Sequence, residues 1–167
     1  LRPNFVILSQ PVDQEAFLAE VISLLERQHG KLKIPPETLL RYITHLLNEY
    51  IPVDQTKRKL IETRGIPEAK ADEIAMVYQE YRHQMMAYNM LDLGGLIAAT
   101  LTLLQTNPFI RKLLHRTYPY VCLDEFENIN CSQYVLLKQL VPDESPNLLV
   151  AADDDQIIYQ WNGANPR

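Results

Sequence analysis

The 167-residue sequence predicts an α/β chain that is mostly helical, with a small parallel sheet near its C-terminal end. Three observations predict it. Apolar residues recur at helical spacing through most of the chain as far as His115. After Pro119 the texture changes to two short β-like apolar runs, Tyr120-Val121-Cys122-Leu123 and Leu148-Leu149-Val150-Ala151-Ala152, each ending in acids. A helical segment from about Ser132 to Leu140 lies between them. Strand, helix, strand implies parallel pairing, because a crossover is what returns the second strand in the same direction.

The elements follow in order. Asn4-Phe5-Val6-Ile7-Leu8 is a short apolar run ending at a turn, the pattern of a strand or an extended lead-in. Asp13 is placed to cap a helix whose face carries Phe17, Leu18, Val21, Ile22 and Leu25, and Gly30 fits just past its end. Pro35-Pro36 starts a second helix, where a missing N–H costs little; its apolar face is Leu39, Leu40, Ile43, Leu46, Leu47 and Tyr50. A short basic helix, Thr56 to Thr63, stops at Gly65. Pro67 opens the longest periodic segment, with Ala71, Ile74, Val77, Tyr78, Tyr81, Met85 and Tyr88 on one side. That Tyr/Met stripe reads as helix–helix packing rather than a ligand surface, because amphipathic helices bury such stripes routinely. Gly94-Gly95 breaks the pattern, Leu96 to Leu104 resumes it, and Asn107-Pro108 caps a short helix ending near His115.

Bulk composition narrows the function. With 47% hydrophobic and 22% charged residues the chain has enough apolar material for a core. A net charge of −5 argues against a broad basic surface for duplex DNA while leaving room for a local groove. Cys122 and Cys131 show no metal-ligand spacing and fit reduced thiols in a cytoplasmic protein. His29, His45, His83 and His115 sit on separate helical segments, none at ligand spacing from another. No apolar run reaches membrane-spanning length, so no membrane partner is expected. The start, Leu1-Arg2-Pro3-Asn4, lacks both an initiator Met and a signal peptide and reads as part of something longer.

The chemistry concentrates at the two strand ends. In a parallel sheet ligands bind outside the carboxyl ends of the strands, which puts Asp124-Glu125 and the Asp153-Asp154-Asp155-Gln156 run on one edge. A carboxylate there can hold Mg²⁺, and its neighbour can orient or deprotonate a water that attacks a phosphate. Gln156 can donate to a phosphate oxygen without adding charge. Tyr159 and Trp161 offer flat faces on which nucleic-acid bases stack at ~1–3 kcal/mol each. The plainer readings are a solvated strand end, an exposed acidic turn and a core or lid Trp.

These segments carry a family pattern. Val121-Cys122-Leu123-Asp124-Glu125-Phe126-Glu127-Asn128-Ile129-Asn130, followed by Gln133, resembles motif II of the UvrD/Rep-like superfamily 1 DNA helicases, roughly VDEFQDTN and then a Gln. The segment ADDDQIIYQWNGA, Ala152 to Ala164, resembles motif III, roughly GDxDQSIYxFRGA. Asn89 to Ile97 is similar to the family's helix LDFDDLL. The resemblance implies a helical, subdomain 1B-like insert over residues 1–88 and a partial RecA-like (P-loop NTPase) motor domain 1A over residues 89–167. It implies that Asp124 holds Mg²⁺, Glu125 activates the attacking water, and Gln156 senses the γ-phosphate of ATP. It also implies that Tyr159, Trp161 and Asn162 lie along single-stranded DNA. ATP and Mg²⁺ are then the cofactors of the complete protein.

Some positions depart from the pattern. Glu127 stands where Gln is usual, Asn128 and Ile129 where Asp and Thr are, Ala152 where Gly is, Asn162 where Arg is, and Gly94-Gly95 where acids are. No G-x-x-x-x-G-K-[ST] occurs among these residues, so the chain by itself is expected neither to hydrolyse ATP nor to unwind DNA. The leading expectation is a fragment of an ATP-dependent DNA helicase. A non-catalytic, helicase-derived binding module is the alternative, and a Mg²⁺-dependent phosphohydrolase using Asp124, Glu125, Asp153 and Asp155 ranks last. An incomplete sheet leaves edges bare, so self-association is also expected.

Overall fold

A computed structural model describes residues 3–142, 147–153 and 155. The chain forms two compact units, Leu1–Leu47 with Ile51–Leu96, and Asn48–Tyr50 with Ile97–Arg167.

In the first unit, strand β1 (Val6–Leu8) leads into helix α1 (Pro11–His29), with Pro11 in the first turn and Gly30 closing the end at φ +87°. Asp13 lies in that first turn, while Gln10 occupies the cap without a side-chain bond. Helices α2 (Pro36–Asn48), α3 (Thr56–Arg64) and α4 (Glu68–Ala87) follow. Gly65 adopts the left-handed conformation that ends α3, and its N–H reaches Ile61 O at 3.0 Å. The expected faces are the buried ones: Leu18, Val21 and Leu25 from α1, Leu39, Ile43 and Leu46 from α2, Ile74, Val77, Tyr78 and Tyr81 from α4. Most of the α4 stripe is therefore packing, with Phe17 edge-on to Tyr81 at 5.5 Å; Tyr88, at its end, is exposed.

The structure adds a sheet that the sequence pattern did not reveal. Strand β2 (Met90–Asp92) pairs parallel with β1, Val6 opposite Met90 and Leu8 opposite Asp92. The stretch read as the start of a helix is thus a strand first. The cause is local: Asn89 takes φ 56°, which breaks α4 and turns the chain, and its carbonyl accepts from Val6 N–H at 3.0 Å. Asp92 then joins three elements. Its carboxylate accepts from the buried Tyr81 hydroxyl at 2.9 Å and from Gly95 N–H at 2.6 Å, which caps helix α5 (Leu93–Thr106). Burial and this carboxylate push the Tyr81 phenol well above its ordinary range.

Gly94 and Gly95 lie inside the first turn of α5 rather than before it. A Cβ on Gly94 would come within 2.8 Å of Leu47 Cβ, and one on Gly95 within 2.7 Å of Asp92 Oδ1. The glycines let α5 start against α2 and under its own capping carboxylate.

In the second unit Asn107 caps helix α6 (Pro108–Thr117) by accepting from Ile110 N–H at 3.2 Å. Strand β3 (Val121–Leu123), helix α7 (Cys131–Leu140) and strand β4 (Leu148–Val150) form the expected parallel strand–helix–strand unit, Val121 opposite Leu148 and Leu123 opposite Val150. Helix α7 is started by a reciprocal cap: Asn130 accepts from Gln133 N–H at 3.0 Å while the Gln133 side chain accepts from Asn130 N–H at 2.9 Å. His115 Nε2 donates to Gln139 O at 2.8 Å, tying α6 to α7. Among the described residues no single helix is long and apolar enough to cross a membrane.

Candidate functional site

Parallel pairing of β3 and β4 brings the two acidic loops side by side. The pairing continues past the strands, with Ala151 N–H donating to Leu123 O at 2.8 Å and Phe126 N–H to Ala151 O at 3.1 Å. Asp124 and Glu125 leave the end of β3, and Asp153 leaves the end of β4; all three are exposed.

The backbone turns sharply at Glu125, which adopts φ 53°, ψ 43°. This left-handed conformation is costly for a residue with a Cβ, roughly 1–2 kcal/mol, and such costs concentrate where a side chain must be aimed. Asp124 supports the turn: its Oδ1 accepts from Glu125 N–H at 2.9 Å. A short 3-10 turn, Phe126–Asn128, follows.

Glu127 is the residue whose part the sequence did not disclose. It is buried, 8% exposed. Its Oε1 accepts from Asn128 Nδ2 at 3.1 Å and its Oε2 from Asp153 N–H at 3.1 Å. The carboxylate therefore fastens the loop after β3 to the loop after β4. Its negative charge is spent on two donors, one a backbone amide, instead of standing open beside a phosphate. The only visible signal was an acid where the motif has Gln. Asp153 Oδ1 in turn accepts from Asp155 N–H at 3.1 Å, folding the second loop on itself. Asn128 Oδ1 is buried with no hydrogen-bond partner among the described residues.

Among the described residues no three His, Cys, Asp or Glu side chains gather to hold a metal ion by themselves. Asp124, Glu125, Asp153 and Asp155 therefore do not make a self-contained metal site. A single strand-end carboxylate does suit Mg²⁺, which keeps most of its shell as water and substrate phosphate oxygens. Asp124 is an exposed strand-end carboxylate whose Oδ1 accepts from Glu125 N–H. Gln156, Tyr159, Trp161 and Asn162 lie outside the described residues.

The fold and site define an α/β protein whose paired acids stand at the carboxyl ends of adjacent parallel strands. The model of the UvrD/REP helicase N-terminal domain family matches residues 1–167, and the chain belongs to that family. It is 36% identical over 138 residues to the ATP-dependent DNA helicase UvrD1 of Mycobacterium bovis, a match covering 79% of this chain and 18% of that protein. The UvrD1 of Mycobacterium tuberculosis matches equally. The ATP-dependent DNA helicase PcrA of Staphylococcus aureus is 29% identical over 166 residues, covering 99% of this chain and 21% of that protein. The chain thus spans about one-fifth of the length of these relatives.

Proposed function

We infer that this chain is part of the ATP-driven motor of a DNA helicase, with residues 1–88 as a subdomain 1B-like helical insert and residues 89–167 as part of the first RecA-like domain. The observation that carries the reading is the joint between the strand ends: Asp124-Glu125 after β3, pinned through Glu127 to the Asp153 amide after β4. Such a joint suits a motor, because a change at the nucleotide is passed to the neighbouring loop through a direct, part-buried hydrogen bond.

In this reading Asp124 would hold Mg²⁺, which would neutralise charge on the phosphates of ATP. Glu125, aimed by its left-handed backbone, orients the attacking water and accepts its proton. Gln156 reports the γ-phosphate, and Tyr159, Trp161 and Asn162 meet single-stranded DNA. The 167 residues hold no phosphate-cradling glycine–lysine loop, so the chain alone is expected to show no ATP turnover.

The test uses the longest natural polypeptide containing this sequence. ATP hydrolysis stimulated by single-stranded DNA is expected, and Glu125→Gln is expected to lower kcat by about 10²–10⁴-fold with ATP binding retained. Unchanged turnover in that variant would remove Glu125 from the chemistry. A wild-type protein that binds DNA without hydrolysing ATP would favour the non-catalytic module, the reading supported by Glu127 and Asn162 in place of the motif's Gln and Arg.

A further inference from the structure

Positions 127 and 128 carry Glu-Asn where the motif reads Gln-Asp. Taken singly, these are one acid gained and one acid lost. Taken together, one carboxylate and one carboxamide remain, in exchanged places. Asn128 Nδ2 donates to Glu127 Oε1 at 3.1 Å, and Asp153 N–H donates to Glu127 Oε2 at 3.1 Å. Asn128 turns its donor to Glu127 even though its own oxygen then has no partner among the described residues. An amide at 127 facing a carboxylate at 128 closes the same circuit with one bond reversed. The amide oxygen accepts from the Asp153 N–H, and the amide NH₂ donates to the carboxylate. Either change alone leaves the circuit open. Glu127→Gln sets two NH₂ groups against each other, and Asn128→Asp sets two carboxylates against each other. Glu127 is buried and Asn128 half-buried, so water relieves neither mismatch freely.

The pair lies directly after Glu125 in the chain and helps to hold it. Glu125 N–H donates to Asp124 Oδ1 at 2.9 Å, and Glu125 O accepts from Asn128 N–H at 2.9 Å. The turn that carries these residues is fastened to the loop after β4 at two points. Phe126 N–H donates to Ala151 O at 3.1 Å, a backbone bond that asks nothing of the side chains. The second point is Glu127 on the Asp153 amide, and it depends on the pair. Through it the left-handed residue Glu125 is set against the loop after β4. A misplacement of about 1 Å at a reacting group can cost ~10²-fold in rate.

We propose that Glu127 and Asn128 are a compensated exchange of the motif's amide and acid, and that together they are positioning residues acting through Glu125. The proposal rests on the reading of Glu125 as the group that orients the attacking water. It makes two departures from the motif a single linked change, one that keeps the site in order instead of marking its loss.

The test is a cycle of four proteins made in the longest natural polypeptide containing this sequence: wild type, Glu127→Gln, Asn128→Asp, and both changes together. ATP turnover stimulated by single-stranded DNA is counted per nucleotide site, the sites being titrated with a fluorescent ATP analogue, so that a misfolded fraction does not enter kcat. Each single change is expected to lower kcat at least ~10-fold with KM for ATP within about 3-fold of wild type. The double change is expected to bring kcat back to within about 3-fold of wild type. Single variants that melt earlier yet keep their kcat per site would make the pair a structural clasp and overturn the proposal. A double variant no faster than the slower single overturns it too, because the two effects then add instead of cancelling. Where Asn128→Asp alone does not fold, the comparison is between Glu127→Gln and the double variant. A double variant that folds and turns over faster supports the exchange; one that is slower or fails to fold overturns it. A wild-type polypeptide without ATP turnover fails the motor reading, and the positioning role falls with it. Turnover in wild type with no rescue in the double variant fails the exchange alone.

Discussion

Glu127 shows how much a single carboxylate can change meaning once its surroundings are known. In the sequence it is an acid where a motif has Gln, and the natural expectation is repulsion of a phosphate. In the structure both of its oxygens accept hydrogen bonds, and one donor is the Asp153 backbone amide 26 residues away. A Gln keeps one acceptor oxygen, enough for the Asp153 amide, but sets its NH₂ against the Asn128 Nδ2 donor, so Glu127→Gln is expected to cost about 0.5–1.5 kcal/mol. Glu127→Ala removes both acceptors that join the two loops and is expected to cost about 1–3 kcal/mol. Denaturant unfolding of the two variants checks this; an alanine variant as stable as wild type would show that the two loops do not depend on the bridge. Asp124 and Glu125 were legible because acids directly after an apolar run mark a strand end. Glu127's partner was not legible, since a backbone N–H leaves no signature in sequence and only the register of β3 on β4 brings it near.

At the scale of elements, periodicity located the helices and their buried faces, because a 3.6-residue repeat of large apolar residues has few other packings. It failed at the joint from α4 to α5. There β2 is three residues long, too short for alternation to register, and its parallel partner β1 lies more than eighty residues earlier in the chain. Glycines at 94 and 95 were read as a break; they are instead the first turn of α5, chosen by space. Position 94 tests that account. Alanine is favoured over glycine in a helix by about 1 kcal/mol. Here its Cβ would stand 2.8 Å from Leu47 Cβ, an atom fixed to the α2 backbone that cannot swing aside. Gly94→Ala is therefore expected to destabilise the chain by roughly 1–3 kcal/mol despite its better propensity. A raised melting temperature in that variant would mean that α5 moves away from α2 at little cost.

At the scale of the whole molecule, the two units differ in how they dispose of apolar surface. The first buries a continuous core drawn from α1, α2, α3 and α4. The second has no comparable interior among its described residues, and Phe109, Leu113, Tyr120, Leu149 and Val150 are all exposed. Among the described residues each sheet has two strands, so each strand there is an edge, and Val6 and Ile7 on β1 are exposed as well. Apolar side chains beside unpaired strand edges favour pairing with another chain, while strands of three residues offer few hydrogen bonds to a partner. The balance predicts weak, concentration-dependent self-association driven mainly by the second unit's apolar side chains. Light scattering should show the average mass rising with protein concentration, with little sensitivity to salt because the contact is apolar. Phe109→Ser with Leu149→Ser should return the chain to a monomer without loss of helical content. A wild-type chain that stays monomeric throughout the range would mean that the shortness of its edges outweighs the exposed apolar surface.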